Sequence, residues 1–125
     1  MQQYLIALVG PTASGKTVLA IQLATKFGGE IISADSRQIY KGMDIGTGKV
    51  TKKERGIVTH HLIDVVSPKR QFTVAQYQKL AQKAVFDILR RGKLPIICGG
   101  TGQYIDAVVY GHTFPRVKPD WKLRV

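Results

Sequence analysis

The stretch Gly10-Pro11-Thr12-Ala13-Ser14-Gly15-Lys16-Thr17 limits what this chain can fold into more than any other. It fits G-x-x-x-x-G-K-[ST], the phosphate-binding P-loop pattern, which carries meaning only between a strand and a helix. Both flanks suit it. Upstream, Tyr4-Leu5-Ile6-Ala7-Leu8-Val9 is apolar and uncharged; downstream, Val18-Leu19-Ala20-Ile21-Gln22-Leu23-Ala24 is apolar and rich in helix formers. Gly10 and Gly15 let the backbone bend so that its N–H groups face inward. The first turn of the next helix adds unpaired N–H groups and the positive end of its dipole. Lys16 brings a cation to the outer phosphate, and the Thr17 hydroxyl is a ligand for Mg²⁺. The motif specifies a bound oligophosphate; it specifies neither ATP nor hydrolysis.

The pattern continues as alternating strands and helices, which predicts an α/β fold: an open parallel sheet of P-loop type with flanking helices. A helix is predicted over 16–27, stopped by Gly28-Gly29. Strands are predicted at Glu30-Ile31-Ile32-Ser33, at His61-Leu62-Ile63-Asp64-Val65-Val66 and at Leu94-Pro95-Ile96-Ile97-Cys98. Residues 41–60, with four glycines among Lys41, Lys49, Lys52, Lys53 and Arg55, read as a long basic loop. Thr73 opens a helix with a capping box to Gln76 and a staple of Phe72 against Tyr77. Val74, Tyr77, Ala81, Ala84, Val85 and Ile88 share one helical face, and Gly92 is the stop. A short helix is predicted over 103–110. Residues 1–111 form the core. Residues 112–125 read as a linker and, from Asp120, the first turn of a helix that is cut off.

Ligands of open parallel sheets bind outside the C-terminal ends of the strands. The loops at 10–17, 35–40 and 99–102 therefore face one crevice. A carboxylate at a strand end would serve as base or metal ligand; Asp35 and Asp64 both qualify, and Asp35 equally suits the N-cap of the 36–40 turn. His60 and His61 point to opposite faces of a strand and have no evident third ligand, so they read as packing or surface groups rather than a metal site.

Charge adds a second constraint. Nineteen Lys and Arg against eight Asp and Glu leave the chain at +11, and residues 37–93 alone hold thirteen basic and four acidic groups. Such an excess points to a polyanionic partner beyond one small phosphate ligand. No apolar run reaches the length of a membrane span, and the N-terminus lacks the features of a signal peptide. Cys98, the only cysteine, excludes an internal disulfide and fits a reducing cytoplasm.

Four blocks, in order, carry a resemblance: the P-loop; Ile32-Ser33-Ala34-Asp35-Ser36-Arg37-Gln38-Ile39-Tyr40-Lys41-Gly42-Met43-Asp44-Ile45-Gly46-Thr47; His60-His61-Leu62-Ile63-Asp64; and Gly99-Gly100-Thr101-Gly102-Gln103-Tyr104. Together they resemble the tRNA dimethylallyltransferase (tRNA isopentenyltransferase) family, the second block being the most specific. Gln103 departs from the apolar residue more usual there. The resemblance implies transfer of a dimethylallyl group from dimethylallyl diphosphate to the exocyclic amine of the adenosine beside the anticodon in tRNA. By that resemblance Asp35 is the general base, Thr101 contacts the target adenosine, and Asp35, Ser36, Arg37, Gln38, Thr101 and Arg124 contact tRNA. The same resemblance implies Mg²⁺ as cofactor, no membrane partner and a monomer at full length. Family members are longer, so the chain is expected to be a C-terminally truncated piece that transfers poorly or not at all by itself. A P-loop kinase for a small molecule, an isopentenyltransferase acting on free adenylate, and a non-catalytic nucleic-acid-binding domain remain open as alternatives.

Overall fold

The computed structural model describes residues 3–10, 15–41, 51–110 and 117–124, with the backbone alone for residue 3 and for 117–124. The elements run β1 (Gln3–Val9), α1 (Lys16–Phe27), β2 (Gly29–Ser33), α2 (Lys52–Ile57), β3 (His60–His61), α3 (Val74–Arg90), β4 (Leu94–Gly99), α4 (Gly102–Val109) and β5 (Val117–Arg124). All five strands pair in parallel, in the order β3-β2-β4-β1-β5. β4 thus lies between β1 and β2, and the connection through α1 crosses over it.

Strand alternation sorts the core into two layers. Leu5, Ala7, Val9, Ile32 and Ile97 pack with Tyr77, Ala81, Val85 and Ile88 of α3 and with Ile105 and Val108 of α4. Leu8, Ile31 and Ile96 face the other way, onto Ala20 and Ala24 of α1. Both faces of the sheet are covered, which is why its strands read as near-continuous apolar runs. The fully buried Tyr77 stacks on Tyr104 with ring centres 4.0 Å apart, and its hydroxyl donates to the Ser33 carbonyl at 2.8 Å. The α3 capping box is present in both directions, Gln76 N to Thr73 Oγ1 and Thr73 N to Gln76 Oε1. At the other end of α3, Gly92 N–H reaches Leu89 O and Lys93 N–H reaches Ile88 O, which closes the helix in a Schellman turn.

Four expectations need correction. Val74, at the first position of α3, is exposed rather than on the buried face. Part of the basic loop is helical: Thr51 and Glu54 form a reciprocal capping box that starts α2, while 42–50 lie outside the described residues. The third strand is only His60–His61, because Leu62 and Asp64 take positive φ of 65° and 59°, which no strand accommodates. The helix expected from Asp120 is instead β5, paired along β1 from Gln3↔Val117 to Val9↔Arg124. Here apolar Val117, Trp121 and Leu123 alternate with Lys118, Asp120, Lys122 and Arg124, a period of two rather than 3.6. The register gains one residue between Lys118 and Trp121, a bulge beside Pro119, which has no N–H to give. The remainder of the expected linker, 112–116, lies outside the described residues. No described helix is long and apolar enough to cross a membrane.

Candidate active site at the strand ends

The ends of β1, β2 and β4 come together through backbone contacts. Ala34 N–H donates to Cys98 O at 2.9 Å, and Thr101 N–H returns a bond to Ala34 O at 3.1 Å. This approach is so close that a Cβ on Gly99 would lie 2.3 Å from the Ala34 carbonyl carbon and oxygen, so only glycine fits there. Gly100 in turn lies against the Gly10 carbonyl. The three loops expected to share a crevice are therefore joined at their bases. Within the P-loop, Pro11, Thr12, Ala13 and Ser14 lie outside the described residues.

Gly15 takes φ 80° as the residue before α1, and no side chain caps the helix. With no acidic residue in its first turn, the α1 N-terminus keeps its positive end for a ligand. Lys16 is only 4% exposed, and no carboxylate pairs with it among the described residues. A buried ammonium without a counter-ion is costly, and a bound anion would relieve it. Thr17 is half-buried beside it.

Asp35 is 6% exposed. Its Oδ1 accepts the Arg37 N–H at 2.9 Å and its carbonyl accepts the Gln38 N–H at 3.1 Å, so it does cap the 36–40 turn. No basic side chain pairs with it among the described residues. The other strand-end candidate, Asp64, lies 3.4 Å from Arg55 Nη1 instead. Thr101 occupies the N-cap of α4 without capping it. Its Oγ1 accepts the Ser36 N–H at 3.0 Å, fastening the 35–38 turn to the end of β4. Gln38 is buried, Ser36 half-buried and Arg37 exposed. The backbone of Arg124 stands opposite Val9, one residue before Gly10, so it ends on the same rim.

Below the crevice is a cavity of about 20 Å³ lined by Lys16, Thr17, Ser33, Gln38, His60 and Cys98, among others. Burial pushes the Cys98 thiol up to about 11; Lys16 opposes that shift and Asp35 adds to it, so both charges act on one sulfur. Burial likewise lowers His60 from its usual value and keeps it neutral. No three His, Cys, Asp or Glu side chains converge among the described residues. His61 bonds instead to Glu30, at 2.7 Å. Sequence reasoning missed Ser33. A hydroxyl directly after the buried Ile31-Ile32 pair, at the strand's C-terminal end, was the signal available.

Fold and strand-end geometry together define a P-loop-type α/β protein with a buried lysine, unpaired with any carboxylate among the described residues, and a buried carboxylate at the C-terminal edge of its sheet. The family described as IPP transferase matches residues 38–125, and the chain belongs to it. Its relatives include a tRNA dimethylallyltransferase of a Roseiflexus species, 60% identical over 92% of this chain, and one of Oceanobacillus iheyensis, 52% identical over 96%. The chain spans 38% of the length of each. Among solved structures, the tRNA isopentenylpyrophosphate transferase of Staphylococcus epidermidis superposes with a TM-score of 0.83 at 53% identity. That match covers 90% of this chain and 37% of the other. A eukaryotic dimethylallyltransferase acting on tRNA matches with a TM-score of 0.82 at 37% identity, over 90% of this chain and 28% of that one.

Proposed function

We propose that this chain carries the donor- and adenosine-binding core of a tRNA dimethylallyltransferase. The observation that carries the reading is the pair of buried, oppositely charged side chains, Lys16 and Asp35, neither with a charged partner among the described residues, at adjoining strand ends. A phosphate site alone needs only the first. A proton-accepting carboxylate beside it fits alkylation of an amine.

In this reading the α1 N-terminus and Lys16 hold the diphosphate of dimethylallyl diphosphate and stabilise the charge that develops on it as pyrophosphate leaves. Thr17 suits Mg²⁺ better than a closed protein cage would, since that ion keeps waters and takes phosphate oxygens. When bound, it would neutralise charge on the leaving group. The exocyclic amine of adenosine forms a bond to C1 of the dimethylallyl group as the C1–O bond to diphosphate breaks. The displaced amine proton passes to Asp35, acting as general base. Arg37 N–H already holds Oδ1 and so orients the carboxylate. Thr101, Ser36, Arg37, Gln38 and Arg124 would position the adenosine and its neighbours. The target base must leave the anticodon stack to arrive there. Lys52, Lys53 and Arg55, exposed on α2, supply cations for the RNA backbone. The protein would act in the cytoplasm, as a monomer at full length.

The test is incubation with Mg²⁺, radiolabelled dimethylallyl diphosphate and unmodified tRNA, with ATP as a parallel donor. Label in tRNA supports the reading. Phosphate transfer from ATP to a small acceptor, without prenyl transfer, would overturn it in favour of a kinase.

A further inference from the structure

Ser33 Oγ is the one buried side-chain oxygen or nitrogen without a hydrogen-bond partner among the described residues. The residue is 5% exposed and closes one wall of the cavity beneath Lys16 and Thr17. An unsatisfied buried hydroxyl costs about 1–3 kcal/mol, so its retention at this place calls for a partner. The cavity, about 20 Å³, is large enough to hold one water. Its lining residues include enough polar side chains for a buried water, Ser33, Thr17 and His60 among them. His60 has a defined role here. Its Nδ1 lies 2.8 Å from the Val58 carbonyl, which only accepts, so Nδ1 carries the proton. In the neutral ring Nε2 is then an acceptor.

We propose that Ser33 is a positioning residue of the diphosphate site, acting through a single water held between its hydroxyl, Thr17 and His60. That water ties the first turn of α1 to the end of β2. It thereby fixes the Thr17 hydroxyl and the stem of Lys16 relative to Asp35, two residues beyond Ser33 and just past the end of the strand. The inference rests on the diphosphate reading of the P-loop, and its test separates the two.

Inorganic pyrophosphate with Mg²⁺ is titrated calorimetrically into the 125-residue chain and its Lys16→Ala, Ser33→Ala and Ser33→Thr variants, with thermal unfolding of each. Ser33→Ala is expected to bind about fivefold more weakly while melting at or above the parent temperature, because loss of one hydrogen bond is set against removal of a buried hydroxyl. Ser33→Thr keeps the hydroxyl and is expected within about twofold of the parent, as a water-mediated contact requires. Pyrophosphate affinity unchanged in Ser33→Ala, with Lys16→Ala binding much more weakly, overturns the role of Ser33 and leaves the diphosphate site standing. Affinity unchanged in Lys16→Ala overturns the diphosphate reading itself. A crystal structure of the parent chain decides the water independently: density within hydrogen-bond distance of Ser33 Oγ supports the proposal, and an empty cavity overturns it.

Discussion

β2 begins and ends near buried acid groups, Glu30 and Asp35, and the two are held in opposite ways. Arg91 grips Glu30 through two bonds of 2.6 and 2.8 Å, His61 adds a third at 2.7 Å, and Lys93 stands 3.8 Å away. The Arg91 hydrogen bonds, aided by His61, hold the Glu30 carboxyl down to about 2 against the opposing effect of burial. Asp35 receives one backbone N–H, and its neighbour Lys16 no carboxylate among the described residues. A buried charge that the protein satisfies itself fastens one element to another; here Glu30 locks the end of α3 onto the sheet. Buried charges with no charged partner among the described residues, at a loop-lined edge, mark a candidate ligand site.

The contrast breaks most sharply through chemistry. Asp35→Asn keeps an oxygen for the Arg37 N–H but cannot take a proton. At full length it is expected to lower prenyl transfer by at least about 100-fold with donor affinity little changed; unaltered turnover in a single-turnover assay would remove Asp35 as base. Next comes the joint between the loops. Gly99→Ala drives a methyl into the Ala34 backbone and is expected to cost about 3 kcal/mol in urea unfolding, with loss of pyrophosphate binding. A stable, binding-competent variant would show that the loops are not held by that approach.

At the opposite end, Glu30→Ala removes the carboxylate that Arg91, His61 and Lys93 share, leaving Arg91 only Asp87, a loss of about 2 kcal/mol given that these partners are partly exposed. Pyrophosphate affinity is expected to stay the same. The sign of the pH effect follows from the lowered carboxyl: its contribution is complete above the ordinary value near 4.5 and is lost as pH falls from there toward about 2. Thermal melts of Glu30→Gln across that window should therefore flatten relative to the parent. The smallest effect is Tyr77→Phe, which removes the bond to the Ser33 carbonyl at an expected cost of about 1 kcal/mol, without moving pyrophosphate affinity.

How much of this was legible in the sequence depended on whether the determining contacts are local. α1 follows its predicted bounds, and the Thr73 capping box and the stop at Gly92 appear as read, because each is set by residues within one turn. The crevice was also legible, since a parallel sheet brings its strand ends to one edge whatever the strand order. The premature end of β3 was not: Leu62 carries no signal for positive φ, and Asp64, although of a type that tolerates it, sits in an apolar run that reads as a strand. β5 was misread because Asp120 four residues before Arg124 imitates a helix start, while the alternation around it was the stronger signal. The Thr51 capping box was present but hidden among glycines and lysines. Glu30 and its partner Arg91 are 61 residues apart, and the Ser33 cavity is bounded by four separate segments. No local pattern reports either.

The central claim is that Lys16 is buried to receive a diphosphate. The direct measurement is a calorimetric titration of dimethylallyl diphosphate with Mg²⁺ into the parent chain, Lys16→Ala and Glu30→Gln. Binding is expected in the parent and in Glu30→Gln alike, and weakened at least about tenfold in Lys16→Ala, the loss of a charge-assisted contact. Equal affinity in the parent and Lys16→Ala would contradict it.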